Sequence, residues 1–140
     1  MIRAVLDPNV IISALLSPEG TPAAVLRGCL QGDFEAIVSP LLLAELERAL
    51  AYPKLRRRVT SEEAHEVVEL LATIARVIDD PNDAPPVRTS DPCDDYLIAL
   101  AAASSAVLVS GDEHLLALSG KLPVFKASDF LAFLRQELRR

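Results

Sequence analysis

Apolar and polar positions along this chain fall into short blocks whose period switches between that of a strand and that of a helix. Arg3 to Leu6 is an apolar run closed by Asp7 and Pro8, after which Val10, Ile11, Ala14 and Leu15 recur at helical spacing. This predicts strand, turn and helix. After a break from Ser17 to Gly20, Thr21 and Pro22 read as a cap followed by proline at the first helical position, opening a helix to about Gln31. Glu35 to Val38 is a second strand. Ser39 and Pro40 repeat the start signal for a helix through Leu43, Leu46 and Leu50 that Pro53 stops. Thr60 with Glu63 makes a capping box for a helix to about Ala75, and Arg76 to Ile78 is a short strand. The stretch from Asp79 to Pro92, rich in proline and aspartate, is a surface loop. Asp94 to Ala103 is an alanine-rich helix and Ala106 to Ser110 a strand, and Gly111 turns the chain towards a short helix near Leu115 to Leu118. A strand at Val124 and Phe125 and a helix from Ser128 onward follow.

Strands alternating with helices imply right-handed crossovers and a mostly parallel sheet covered on both faces, an α/β fold of three layers. The length of 140 residues suits one domain, 1–140, and the chain carries no repeats or linkers. In such sheets the site lies beyond the carboxyl ends of the strands. Asp7 and Asp112 stand there, after the first strand and the strand at Ala106.

Composition changes the picture only where charge is concerned. With 51% hydrophobic and 24% charged residues the chain is expected to fold. Cys29 and Cys93 are too few and too far apart for a disulfide framework or a zinc site. No apolar run approaches the ~18 to 20 residues that span a bilayer, and Met1 leads straight into Ala4, Val5 and Leu6 without signal-peptide anatomy. A cytoplasmic protein with no membrane partner is the expectation. The net charge of -6 argues against wrapping nucleic acid by bulk electrostatics, but it also fits carboxylates gathered around metal ions.

Carboxylates placed after buried strands repel one another and raise one another's pKa, and a divalent cation is the simplest compensation. Oxygen ligands favour Mg²⁺ or Mn²⁺, and the chemistry that follows is hydrolysis of a phosphodiester by an activated water. Two more acids can join the pair. Glu45 lies in the Ser39 helix beside Leu42, Leu46 and Ala49, and Asp95 opens the alanine-rich helix, where the helix dipole favours its charge. Singly, each has an ordinary explanation: Asp95, or Asp94 beside it, as a helix cap, Glu45 as a solvated residue, Asp7 with Pro8 as a turn.

The joint pattern resembles the PIN-domain family, within it the compact members related to VapC-type toxins. Val5-Leu6-Asp7-Pro8-Asn9-Val10 is similar to the family's opening motif and assigns its first acid to Asp7. Ser39-Pro40-Leu41-Leu42-Leu43-Ala44-Glu45-Leu46 resembles the second and assigns Glu45. In Asp94-Asp95-Tyr96-Leu97-Ile98-Ala99-Leu100-Ala101 the register of the third motif selects Asp95 over Asp94. Val109-Ser110-Gly111-Asp112 with Leu115 resembles the fourth, giving Asp112 as the last acid and Ser110 as the hydroxyl position. Asn9 and Ser110 are the supporting polar residues. Pro8 replaces the usual threonine or serine, and His114 stands where relatives often have an acid. The resemblance implies a PIN-like parallel sheet, an acidic pocket dependent on Mg²⁺ or Mn²⁺, an RNA substrate cut as an endoribonuclease, a homodimer and a cognate antitoxin.

Lys54, Arg56, Arg57 and Arg58 are the only concentrated positive charge and are candidate contacts for RNA phosphates, against a solvated basic turn. His65 and His114 lack an acid-base partner pattern and read as surface residues. The helix from Ser61 carries Val67, Val68, Leu70, Leu71 and Ile74, a face wide enough for core and partner, and mean hydropathy is +0.29. Two other functions compete. A non-catalytic PIN-fold domain that binds RNA or protein would need none of the four acids. A phosphohydrolase of the haloacid dehalogenase type would want a second aspartate where Asn9 stands and an acid where Leu116 stands.

Overall fold

Short runs of Ala, Val, Leu and Ile supply the three inner strands of the sheet. In the computed structural model, which describes residues 1–139, β1 is Arg3–Leu6, β2 Glu35–Val38, β3 Arg76–Val77, β4 Val107–Val109 and β5 Val124–Phe125. All pairings are parallel and the order is β3-β2-β1-β4-β5. The chain thus winds outward from β1 to β3, then returns to the other side of β1 for β4 and β5. That reversal lies between β1 and β4, whose register pairs Leu6 with Val109. In open parallel sheets a reversal of this kind opens a crevice beyond the strand ends.

The helices are α1 (Pro8–Leu16), α2 (Thr21–Leu30), α3 (Pro40–Leu50), α4 (Pro53–Arg56), α5 (Ser61–Ile74), α6 (Asp95–Ser104), α7 (Glu113–Leu116) and α8 (Ala127–Leu138). Successive strand side chains point to opposite faces. Ala4 and Leu6 of β1 accordingly join a core with Val25, Leu46, Leu50 and Phe130, while Val5 joins one with Leu97, Ile98, Leu100 and Leu108. Two cores on two faces of one sheet are the three layers that the alternation predicts. Among the described residues no helix is long and apolar enough to cross a membrane.

Local signals account for most element starts. The Ser39 hydroxyl accepts the Leu42 amide, and Thr60 and Glu63 form both halves of the capping box. Several starts differ from expectation, among them those of α2, α4 and α7. Gly20, not Thr21, caps α2, so that Pro22 sits one position deeper. Pro53, expected only to stop a helix, also begins α4. The short helix α7 begins at Glu113 because the Asp112 carboxylate accepts the His114 amide at 2.8 Å and caps it there.

At the end of the sheet away from the crevice, Glu35 pairs with Arg3 at 3.2 Å and Arg76 at 3.5 Å. On the α8 side, fully buried Phe130 meets Phe34 edge-on, ring centres 5.1 Å apart at 83°. Removing it leaves a void that close-packed neighbours fill only in part. Phe130→Ala is therefore expected to cost ~3 to 5 kcal/mol, read as a lower urea midpoint at unchanged slope.

Candidate functional site

Asp7 is the first residue after β1 and serves as the N-cap of α1. One carboxylate oxygen accepts the Asn9 amide at 3.0 Å and the other accepts the Ser110 hydroxyl at 2.7 Å. Pro8 occupies the first helical position, where a missing amide hydrogen leaves nothing unsatisfied. Ser110, fully buried at the end of β4, also accepts the Asp112 amide at 3.0 Å. One hydroxyl thus joins the two acids across the reversal in strand order. Asp7 is only 4% exposed, and burial above all holds its carboxyl above the usual range. The Asn9 and Ser110 bonds pull the other way, and the charge of Asp112 pushes it further up.

The third acid of this group is Asp94. It ends a single 3₁₀ turn, Pro92–Asp94, and its carboxyl is pushed up to about 6. Desolvation is the largest cause, followed by the charges of Asp7, Asp91 and Asp112 and by a hydrogen bond with the Asp112 side chain. Asp95, selected by register in the sequence, faces elsewhere. Its oxygens accept the Thr89 amide at 2.9 Å and the Arg88 guanidinium at 3.2 Å. Adjacent residues entering a helix diverge by about 100°, so the two neighbouring aspartates turn in different directions. The structure brings Asp94 to Asp7 and Asp112 and makes Asp95 the anchor of the preceding loop. Spacing to Ile98 and Ala99 did not carry that distinction. The local signal is Asp91-Pro92, whose Asp91 carboxylate accepts the Cys93 amide and starts the turn that ends on Asp94.

Glu45 is half-buried on α3 and ion-paired with Arg48. The positive charge of Arg48 acts on Tyr96, whose hydroxyl burial and the charges of Asp7, Asp94 and Asp80 push far above its usual range. Glu45 thus has a cation of its own, while the charges that act on Asp94 are those of Asp7, Asp91 and Asp112. Asp80, absent from the sequence-based site, accepts the Leu41 amide at 3.0 Å in the first turn of α3.

Asn9 is exposed beside Asp112 in an open groove of about 340 Å³. None of Lys54, Arg56, Arg57 and Arg58 lines that groove. Arg58 donates to the Leu16 carbonyl at 3.0 Å, closing the far end of α1, and Arg56 lines a separate cleft with Glu47, Glu62 and Glu66. His114, read from sequence as a partnerless surface residue, shares a 2.6 Å hydrogen bond with Ser90. His65 pairs with Glu69 on α5 at 3.7 Å.

Among the described residues no three His, Cys, Asp or Glu side chains form a ready metal cage. The donor chemistry nevertheless suits a hard cation. Asp7 and Asp94, each raised in part by a neighbouring carboxylate, relax when positive charge enters, and Mg²⁺ keeps several waters and needs only one or two carboxylates.

A doubly covered parallel sheet with carboxylates at its strand-order reversal defines the class: an α/β domain with an acidic site at the carboxyl edge. The PIN domain family model matches residues 3–114, a span that holds every acid described above, and the chain belongs to that family. It is 32% identical over 119 residues to an uncharacterized protein of Methanocaldococcus jannaschii, covering 84% of this chain and 75% of that protein. The fold is similar to that of PAE2754 from Pyrobaculum aerophilum, with TM-score 0.65, 18% identity and coverage of 96% and 90% of the two chains. It is also similar to VapBC2 from Rickettsia felis, solved bound to a DNA fragment from their promoter, with TM-score 0.57, 15% identity and coverage of 89% and 98%. FitAcB from Neisseria gonorrhoeae gives TM-score 0.58, 18% identity and coverage of 89% and 98%.

The raised carboxyl of Asp94 makes stability depend on pH. Without metal, the folded chain holds this proton more tightly than the unfolded chain does, so the stabilisation is complete below the usual value of 3.8 and is lost as pH rises through about 6. In chelator, Tm is expected to fall between pH 4 and pH 7 and Asp94→Asn to flatten that fall. Equal slopes for the two proteins in a thermal scan would contradict the assignment.

Proposed function

We propose that this PIN domain is a metal-dependent endoribonuclease in which Asp7, Asp94 and Asp112, with Glu45 at the rim, hold Mg²⁺ or Mn²⁺. The observation that carries the reading is the gathering of Asp7, Asp94 and Asp112 at the strand-order reversal, where burial and then neighbouring charge push Asp94 up to about 6. A group tuned in this way within a crevice marks a functional site more often than a structural one. When bound, the cation supplies a nucleophilic water near neutral pH and stabilises charge on the leaving oxygen. The residues of the chain do the rest. Ser110 fixes the orientation of Asp7, the amide of His114 fixes Asp112, and Asp95 with Arg88 and Thr89 holds the loop that delivers Asp94.

Ser110 is fully buried and donates to Asp7, and Cys29 is buried with its thiol pushed up by burial, so neither is placed as a nucleophile. Direct attack by water is the mechanism of this reading. Likeness to VapBC2 and FitAcB supports the further reading of this chain as the toxin of a toxin-antitoxin pair, its acids closed by an arginine of the antitoxin. The expected homodimer has exposed apolar surface available at Leu70 and Ile74 of α5 and Val77 of β3.

Incubation with single-stranded and structured RNA in Mn²⁺ or in chelator tests the activity. Cleavage is expected only with metal, leaving 5′-phosphate and 3′-hydroxyl ends, and 2′,3′-cyclic phosphate ends would show attack by the ribose instead. Asp94→Asn should lower the rate by ~10²-fold or more and abolish the rise in Tm on adding Mn²⁺. Asp95→Asn should lower Tm while retaining the Mn²⁺-induced rise. The reverse ranking of these two variants would return the metal role to Asp95.

A further inference from the structure

The groove of about 340 Å³ adjoins the acids and shares Asp112 with them. The helix α1 contributes Asn9, Val10 and Ser13, the turn after β4 contributes Gly111 and Asp112, and the first turns of α2 and α8 contribute Pro22 and Ala127. Asn9 and Ser13 lie one helical turn apart on a helix whose Pro8, Val10, Ile11, Ile12 and Ala14 are all buried. They are the two exposed positions of α1, and both face the groove.

The lining decides what fits. Among the described residues it holds no lysine or arginine, and the one charge there is the carboxylate of Asp112, so a phosphate placed here would be repelled. An amide, a hydroxyl and three small apolar surfaces instead suit the edges of a base or ribose and the face of a base. The volume is at the low end of the ~300 to 1,000 Å³ that holds a small organic ligand, enough for one nucleoside unit and too little for a base-paired helix. Asp112 belongs to both the groove and the acid group, which sets this unit immediately beside the phosphate being cut.

On the reading of the acids as a nuclease site, we infer that the groove is a subsite for one unpaired nucleoside flanking the scissile phosphate of an RNA strand, with Asn9 and Ser13 as its hydrogen-bonding residues. Substrate preference then arises in part from neutral contacts, independently of the basic run at Lys54 to Arg58.

The test fills the groove from opposite walls with Ser13→Leu and Ala127→Leu. For wild type and both variants, Mn²⁺-dependent kcat/KM is measured on an RNA pentanucleotide and on bis(p-nitrophenyl) phosphate, a diester with no nucleoside. Each variant is expected to lose at least ~10-fold more on the pentanucleotide than on the small diester, chiefly through KM. Equal losses on both substrates overturn the subsite. Fluorescence anisotropy of the labelled pentanucleotide with Ca²⁺ judges binding apart from turnover. Weakening of at least ~10-fold in both variants supports the groove, and wild-type affinity in both overturns it. If the wild type cleaves neither substrate while its binding still depends on the groove, the nuclease reading fails and the subsite stands.

Discussion

The hydroxyl of Ser110 donates to Asp7 while it accepts the amide of Asp112, so one fully buried group fixes the ends of β1 and β4 against each other. Both strands finish at the point where the strand order reverses, and the Asp7 amide adds a direct bond to the Val109 carbonyl at 2.9 Å. Strand adjacency, helix caps and acid placement are therefore one construction. Asp7 caps α1 and Asp112 caps α7, so each carboxylate that faces the crevice also starts the helix leading away from it. Helix N-termini favour negative charge, which makes this edge of the sheet the least unfavourable place to collect acids.

Counter-ions divide the acids into two kinds. Glu45 has Arg48 and Asp95 has Arg88, each supplied by the chain within a few residues. Asp94 faces Asp7, Asp91 and Asp112 instead, and desolvation together with their charges pushes its carboxyl up to about 6. Natural sites tolerate such local destabilisation where function requires it, and the paired acids around the rim confine it to one end of the molecule.

Much of this was legible in the sequence because the signals were local. The strand at Arg3 to Leu6, the capping box at Thr60 and Glu63, and the Ser39-Pro40 start each depend on a few adjacent residues and recur in the structure. Alternation of strand and helix was enough to place Asp7 and Asp112 on one edge. At Asp94 and Asp95 spacing selects the second residue, whereas in the structure a 3₁₀ turn sets Asp94 beside Asp7 and Asp112 while Arg88 and Thr89 bond Asp95. For the basic run, charge along the sequence does not say which carbonyl or cleft each arginine meets. The partnership of Ser90 with His114 spans 24 positions and left no local trace.

The loop before Asp94 is moored at both ends. Near its start the Ile78 amide bonds the Val38 carbonyl and Asp80 takes the Leu41 amide. Near its finish Arg88 and Thr89 are fastened to Asp95, and Ser90 to His114. The residues suspended between these moorings are Pro81 to Val87, and none of the hydrogen bonds just described depends on their side chains. A span of that kind separates invention from chemistry: it is where variation in sequence disturbs least the turn that carries Asp94 and the acidic edge beside it.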